Sequence, residues 1–505
     1  MKTCNASGLG ALLLGVALAP LHGWAQGYGN AGMPERDCSP EAIEYQRELE
    51  AAYSRGPLDR AASRLPSGLS VAEAEALRQR EEELQRREIE QYDGLLASMP
   101  ETYRRRAEIL FRKAEATRQL AQVVNLAERA VFDECMSNWF ICVSDEICYE
   151  PVPDYAPAIA IYREIARQHS DYERLDEVFF RLGESLIENN QGSEGVQTLH
   201  RLVSSYPQSR YVAEAHLLMG DHFFDNDLLL AARQNYDEVM RFPNSDVYPI
   251  AIYKLAWVDY NEMQFTDMLG RLQRVVQLID EGRVQRADLR RVALRDMLLA
   301  YVELDDGWRA AREYYERLEG EDMMRTMLGR LADMLDEQGK DEQRVAVLDF
   351  FLQRYPLDAA AQRWSAQTLD SLDKIGDWPR REARARAFIE ALEPGGRWWN
   401  AQASNPALQQ TAFRFSEQTL LGIINRNFSE GERLTTMPAV QHELFVRTAS
   451  DYEQFFRRFP ESDVLYDERF NYAVLLYTRL ANSGTYHARL QVSEEEFLAY
   501  LRQAG

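Results

Sequence analysis

The feature that most restricts what this chain can fold into is a recurring small residue. Gly183, Gly220, Ala256, Ala300 and Ala332 follow one another at steps of 37, 36, 44 and 32 residues. Each sits directly after a large apolar residue: Leu182, Met219, Leu255, Leu299 and Leu331. Twelve residues beyond Gly183 and Ala332 lie Gly195 and Arg344, then Leu199 and Leu348, and 24 residues beyond lie Pro207 and Pro356. Between them, Gly220 is followed by Ala232 and Tyr236, Ala256 by Met268 and Leu272, and Ala300 by Ala311 and Tyr315. A small residue lets two helices cross closely, and a proline cannot continue the second one. A period of this size therefore means helix hairpins, each too thin to bury its own apolar face, stacked on their neighbours. No segment shows sustained strand alternation bounded by turn signals. The expected fold class is all-α: an α-solenoid of helix pairs with an N-terminal helical extension.

The first 25 residues stand outside that pattern. Lys2 precedes an apolar run from Gly8 to Leu21, and Gly23-Trp24-Ala25 offers small residues for cleavage, so a signal peptide removed after Ala25 is expected. The run is short for a membrane span. Cys4 lies ahead of it, where a lipid-anchor cysteine would follow it, so the expected product is a soluble periplasmic protein that meets the outer membrane only through partners. The whole chain carries a net charge of −23. Such acidity argues against binding nucleic acid or anionic lipid through a general electrostatic field.

Four cysteines follow the leader: Cys38, Cys135, Cys142 and Cys148. An even count in an exported chain points to two disulfides, with three pairings open. Cys142–Cys148 is the preferred local bridge, with Cys38–Cys135 tying the N-terminal helix to the array. Zinc is the competing use, but no Cys-x-x-Cys knuckle and no nearby histidine support it.

The expected organisation is a signal peptide over 1–25 and an N-terminal helical extension over 26–100. A degenerate first repeat with a cysteine-containing insertion covers 101–170, the helix-pair array 171–394, and degenerate C-terminal helical repeats 395–505. Ser39-Pro40-Glu41 reads as a helix start, and Gly395-Gly396-Arg397-Trp398-Trp399-Asn400 as a loop and candidate hinge. No polar capping helix follows the last unit, so a covered end or a shortened array is expected there.

Phe242-Pro243-Asn244-Ser245 precedes Tyr253-Lys254-Leu255-Ala256-Trp257, and the same turn recurs as Tyr206-Pro207-Gln208-Ser209 and Phe459-Pro460-Glu461-Ser462. On these motifs the chain resembles bacterial periplasmic tetratricopeptide-repeat proteins. Over residues 150 to 480 it looks most like the envelope members found in gliding-motility machinery. The resemblance implies protein–protein scaffolding in a cell-envelope complex. The alternative it leaves open is an assembly chaperone or cofactor for outer-membrane proteins or cell-wall synthesis.

No phosphate-binding loop, nucleophile elbow or zinc-protease motif is present in the sequence. Glu184-Ser185 matches a pair used by helical lytic transglycosylases, but Leu186-Ile187-Glu188-Asn189 replaces the residues that should follow. The chain is therefore expected to be no enzyme, to hold no cofactor and to work through a surface. In such repeats the first helices line a groove. Counting from each small residue places Phe180, Phe224, Tyr253, Trp257, Tyr260 and Tyr301 there, interspersed with acids such as Glu184 and Asp221. The expected partners are other envelope proteins, held through extended or helical segments whose basic residues those acids select. Packing between neighbouring repeats is the competing role for the same aromatics.

Overall fold

The structure is a computed structural model that describes residues 71–140, 148–149, 151–283 and 286–480. The leader, Cys38, Cys142 and the helix start at Ser39 lie outside the described residues. Among the described residues every regular element is a helix, so the chain is all-α.

Packing divides the chain into two units, residues 1–300 and 301–505. The division falls inside the segment read as one continuous array. In the first unit α1 (Val71–Ser98) and α2 (Arg106–Phe140) form a long hairpin, and α3 (Ala156–Gln168) packs on α2. Four elements then make two successive pairs: α4 (Leu175–Glu188) with α5 (Gly192–Ser205), and α6 (Val212–Asp225) with α7 (Leu229–Val239). A third pair follows, α8 (Tyr248–Asn261) with α9 (Phe265–Asp280). Helix α10 (Ala287–Glu303) contains the division. The second unit holds α11 (Gly307–Glu319), α12 (Glu321–Glu337), α13 (Asp341–Arg354), α14 (Ala361–Ile375) and α15 (Trp378–Ala391), each packed on the next. A single turn, α16 (Arg397–Ala401), leads to α17 (Pro406–Arg433), α18 (Pro438–Arg458) and α19 (Leu465–Leu475), which ends in a π-turn over Leu476–Leu480.

The small residues explain the pairing. A Cβ placed on Gly183 would lie 2.6 Å from Leu199, and one on Gly220 would lie 2.5 Å from the Tyr236 ring. Leu199 and Tyr236 are fully buried, so each hairpin closes where the first helix offers no side chain. The turn inside each hairpin repeats as well. Asn190, Asp227 and Met263, each seven residues after its small residue, take φ of 58°, 58° and 60°; Gly339 and Gly376 take 66° and 78°. One left-handed residue is what lets the chain leave a helix and double back.

The Phe-Pro-x-Ser turns between pairs also have a physical basis. The Ser245 hydroxyl accepts a hydrogen bond from the Val247 amide at 3.4 Å, and Ser462 from Val464 at 3.3 Å. Ser209 accepts from Tyr211 at 3.2 Å, and Asp358 does the same job for Ala360 at 2.8 Å. The proline ends one helix and the Ser or Asp oxygen occupies an amide at the start of the next.

Two expectations need correction. Cys135 pairs with Cys148, thirteen residues on, so Cys148 is not available to Cys142 nor Cys135 to Cys38. Helix α2 runs through Cys135, and the bridge ties its last turns to the strand of chain entering α3. The Gly395–Asn400 segment is no hinge: it forms α16, in which Trp398 is 1% exposed and its indole N–H donates to the Asp358 carbonyl at 2.7 Å.

Candidate functional site

The first helices α4, α6 and α8 touch one another across the repeats, so together they form one face of the first unit. Helix α8 opens with Pro249 in its first turn, where the missing N–H costs nothing. Its residues from Ala251 to Ala256 are all buried, as are Val258 and Asp259. Accessible aromatic surface in its second half is thereby confined to Trp257 and Tyr260.

These rings are part of a file. Tyr253 meets Trp257 edge-on at 6.4 Å between centroids, Trp257 meets Tyr260 at 5.6 Å, and Tyr260 meets Phe265 at 5.8 Å. Edge-to-face contacts of this kind hold each ring at a fixed angle. Trp257 and Tyr260 are half-buried, and Phe224 on α6 is half-buried too. Phe265 starts α9 and has no first-helix position, so counting along the first helices passes over it.

Three expected groove residues are packing residues instead. Phe180 is 6% exposed and stacks on Tyr211 at 4.8 Å. Tyr253 is 4% exposed, and its hydroxyl donates to Asp296 Oδ2 at 2.6 Å; burial raises both groups above their ordinary pKa. Tyr301 is buried in the second unit, edge-on to Tyr315 at 6.1 Å.

The acids beside the file are occupied within the chain. Asp221 accepts from the Tyr236 hydroxyl at 2.7 Å and pairs with Lys254 at 3.1 Å. Asp259, whose side chain is 1% exposed, is held by Arg233 and Arg271, both at 2.7 Å. Arg233 also reaches Glu262 at 2.8 Å. Glu184 lies 2.9 Å from Arg181 and 3.5 Å from Arg118. One turn on, burial and the neighbouring Glu184 push the Glu188 carboxyl up to about 7, against the pull of the Tyr155 hydroxyl, Arg118 and Arg181. Carboxylates already paired offer little extra attraction to a partner's cations. The expected selection of basic residues by these acids is therefore replaced by a cohesive role: they join one repeat to the next.

Residues 177–209, which cover most of α4 and all of α5, match the tetratricopeptide-repeat family model. This segment is a tetratricopeptide repeat. It begins on α4 and ends in the Tyr206–Ser209 turn, and Gly183, Gly195 and Leu199 fall inside it. The same hairpin, with a small crossing residue and a left-handed turn seven residues later, recurs at Gly220 and Ala256.

Among solved structures, one titled "Structure of Naa15/Naa10 bound to HypK-THB" is similar at 14% identity, over 84% of this chain and 58% of that one, with a TM-score of 0.31. This chain thus spans a little over half of that chain's length. A "Circular tandem repeat protein with novel repeat topology and enhanced subunit contact surfaces" is similar at 14% identity, over 92% of this chain and 93% of that one, with a TM-score of 0.13. No curated protein matches. No helix among the described residues is long and apolar enough to cross a membrane.

Proposed function

We propose that this chain is a non-catalytic scaffold that is exported and organises a cell-envelope complex by binding other proteins along the α4–α6–α8 face. The observation that carries the binding role is the half-buried pair Trp257 and Tyr260, held edge-on between a buried Tyr253 and Phe265 on the first-helix side of an array of helix pairs, one of which matches the tetratricopeptide repeat. Rigid aromatics lose little entropy on contact and dominate the energetics of interfaces. Phe224 extends the surface onto the neighbouring repeat. Export is supported by the Lys2 to Ala25 leader and by the bridged Cys135–Cys148 pair, which belongs in an oxidising compartment. A place in motility machinery is the narrower form of the reading and rests on the resemblance of residues 150 to 480.

Affinity capture from an envelope fraction tests it. Wild-type protein should retain a stoichiometric partner, and Trp257→Ala should weaken that complex by about thirtyfold, or roughly 2 kcal/mol, with little change in melting temperature. A variant that melts far lower, by the roughly 3–5 kcal/mol of a lost core tryptophan, would return Trp257 to packing and sink the binding assignment. Mass mapping of the mature N-terminus should find Gln26; an intact Met1 would refute export by this leader.

A further inference from the structure

In the second unit, the ends of α15 and α18 and the middle of α17 enclose a pocket of about 240 Å³. Its walls are Ile389 and Leu392, Pro394 in the following loop, Phe413 on α17, and Phe459 just past α18. Phe413 and Phe459 stand edge to face at 5.0 Å and make one corner of it. Arg458 closes the rim. Its guanidinium donates to the Ile389 carbonyl at 3.4 Å and lies 3.6 Å from Glu393.

One wall is not apolar. Ser416 sits three residues after Phe413, on the same face of α17. It is only 5% exposed, and its hydroxyl has no hydrogen-bond partner in the protein. Other buried hydroxyls of this unit, such as Ser365 and Thr368, turn back onto the carbonyl four residues earlier at 2.8 Å. Ser416 does not, and a buried hydroxyl without a partner is costly. A group entering the pocket, or water, can satisfy it once the hydroxyl turns towards the opening. Water would leave the five apolar wall residues wet.

We propose that this pocket takes a single phenolic side chain, the tyrosine of a partner protein. A phenol ring matches the aromatic corner and the aliphatic walls. Its O–H both donates and accepts, as Ser416 requires, while a phenylalanine in the same place would leave that hydroxyl unsatisfied. A site built to bond a hydroxyl discriminates against the analogue that lacks it. The partner's being a protein rests on the scaffold reading, but the pocket lies in a different unit from Trp257 and is tested without that partner.

The experiment titrates the full mature chain with N-acetyl-tyrosinamide and N-acetyl-phenylalaninamide, read by ligand-observed NMR. A ligand of this size, at roughly 0.3 kcal/mol per heavy atom, should saturate near or below about 1 mM. The tyrosine probe should bind about five- to tenfold more tightly, the worth of one neutral hydrogen bond. Ser416→Ala should bring that ratio to about one, with phenylalaninamide affinity unchanged and a melting temperature no lower than that of the wild type. Absence of saturable binding by either probe at about 10 mM would leave water as the occupant and overturn the proposal. Equal affinities in the wild type would overturn it too, as would a Ser416→Ala variant that melts lower or keeps the preference. Loss of partner capture in Trp257→Ala bears on the other unit and leaves these outcomes untouched.

Discussion

Alanine at Gly220 and alanine at Gly270 should act in opposite directions, although both replace a glycine inside a helix. The intrinsic gain is the same for each, about 1 kcal/mol, because alanine loses less backbone freedom in the helix. What differs is the space. Around Gly270, on an exposed turn of α9, nothing lies within 4 Å of the new Cβ. At Gly220 the Cβ would sit 2.5 Å from Tyr236 Cε1 and 2.6 Å from Cδ1. The ring has little room to yield: it is fully buried among Leu217, Val239 and Leu255, and its hydroxyl is tied to Asp221 at 2.7 Å. Overpacking of this kind costs about 1–3 kcal/mol, and a ring held at both ends belongs near the upper limit. Subtracting the helix gain leaves a net loss of about 2 kcal/mol for Gly220→Ala, against a gain of about 0.5–1 kcal/mol for Gly270→Ala. Stacked repeats need not unfold in one step, so local opening is the right readout. Hydrogen exchange measured on peptides from α6 to α9 should speed up roughly thirtyfold in the first variant and slow two- to fivefold in the second. If Gly220→Ala exchanged no faster than wild type, the close crossing of α6 and α7 would be wrong, and with it the reason for the small-residue period.

Met263 holds φ of 60° while 78% exposed, so Met263→Gly should relieve the strain without losing packing and stabilise the first unit by about 0.5–1 kcal/mol in a melting experiment. Tyr253→Phe removes the donor from Asp296, which is 3% exposed, and should cost about 1–3 kcal/mol in denaturant unfolding. Glu188 has a folded pKa near 7 against an ordinary 4.5, so the folded chain holds this proton more tightly than the unfolded chain does. Its contribution to stability is whole below the ordinary value and falls as pH rises towards 7, by on the order of 2 kcal/mol; Glu188→Gln should remove that part of the pH slope. Digestion under non-reducing conditions should recover Cys135 linked to Cys148.

The repeat was legible because its cause is local. A crossing needs a small residue, and a turn needs a left-handed one a fixed distance on, so Gly183 and Asn190 or Gly220 and Asp227 can be read along one dimension. The irregular step of 44 residues ends at Ala300, the last residue of the first unit, but along the sequence it reads only as a longer loop within one array. Which aromatics face outward was not legible. Helix α6 is contacted by its own partner helix and by the first helices on both sides, α4 and α8, so a position counted onto the face can still be covered. Tyr253 shows this, since Asp296, 43 residues further on, receives its hydroxyl. Cysteine pairing failed for a similar reason. The nearest cysteine in sequence was preferred, but α2 continues through Cys135 and carries it to Cys148.

The acidity of the chain acquires a different meaning once the pairs are placed. Read as composition, −23 suggests a field that draws basic partners. In the folded repeats, arginines on second helices reach acids on the first helix of the following pair: Arg233 of α7 to Asp259 of α8, and Arg344 of α13 to Asp370 of α14, each 26 residues apart. Arg344 is 4% exposed and also holds Asp336, which in turn meets Lys374. Buried pairs of this kind add little net stability, because desolvation offsets most of the attraction. Their effect is on register. A hairpin stacked one turn out of place would leave Arg344 or Asp259 buried without its partner, at a cost of several kcal/mol. Apolar contact alone tolerates such a slip, since leucines and alanines meet almost any neighbour. The charges thus define the stacking of successive hairpins, and under the proposed reading recognition is left to the half-buried Trp257 and Tyr260 in one unit and the Ser416 pocket in the other.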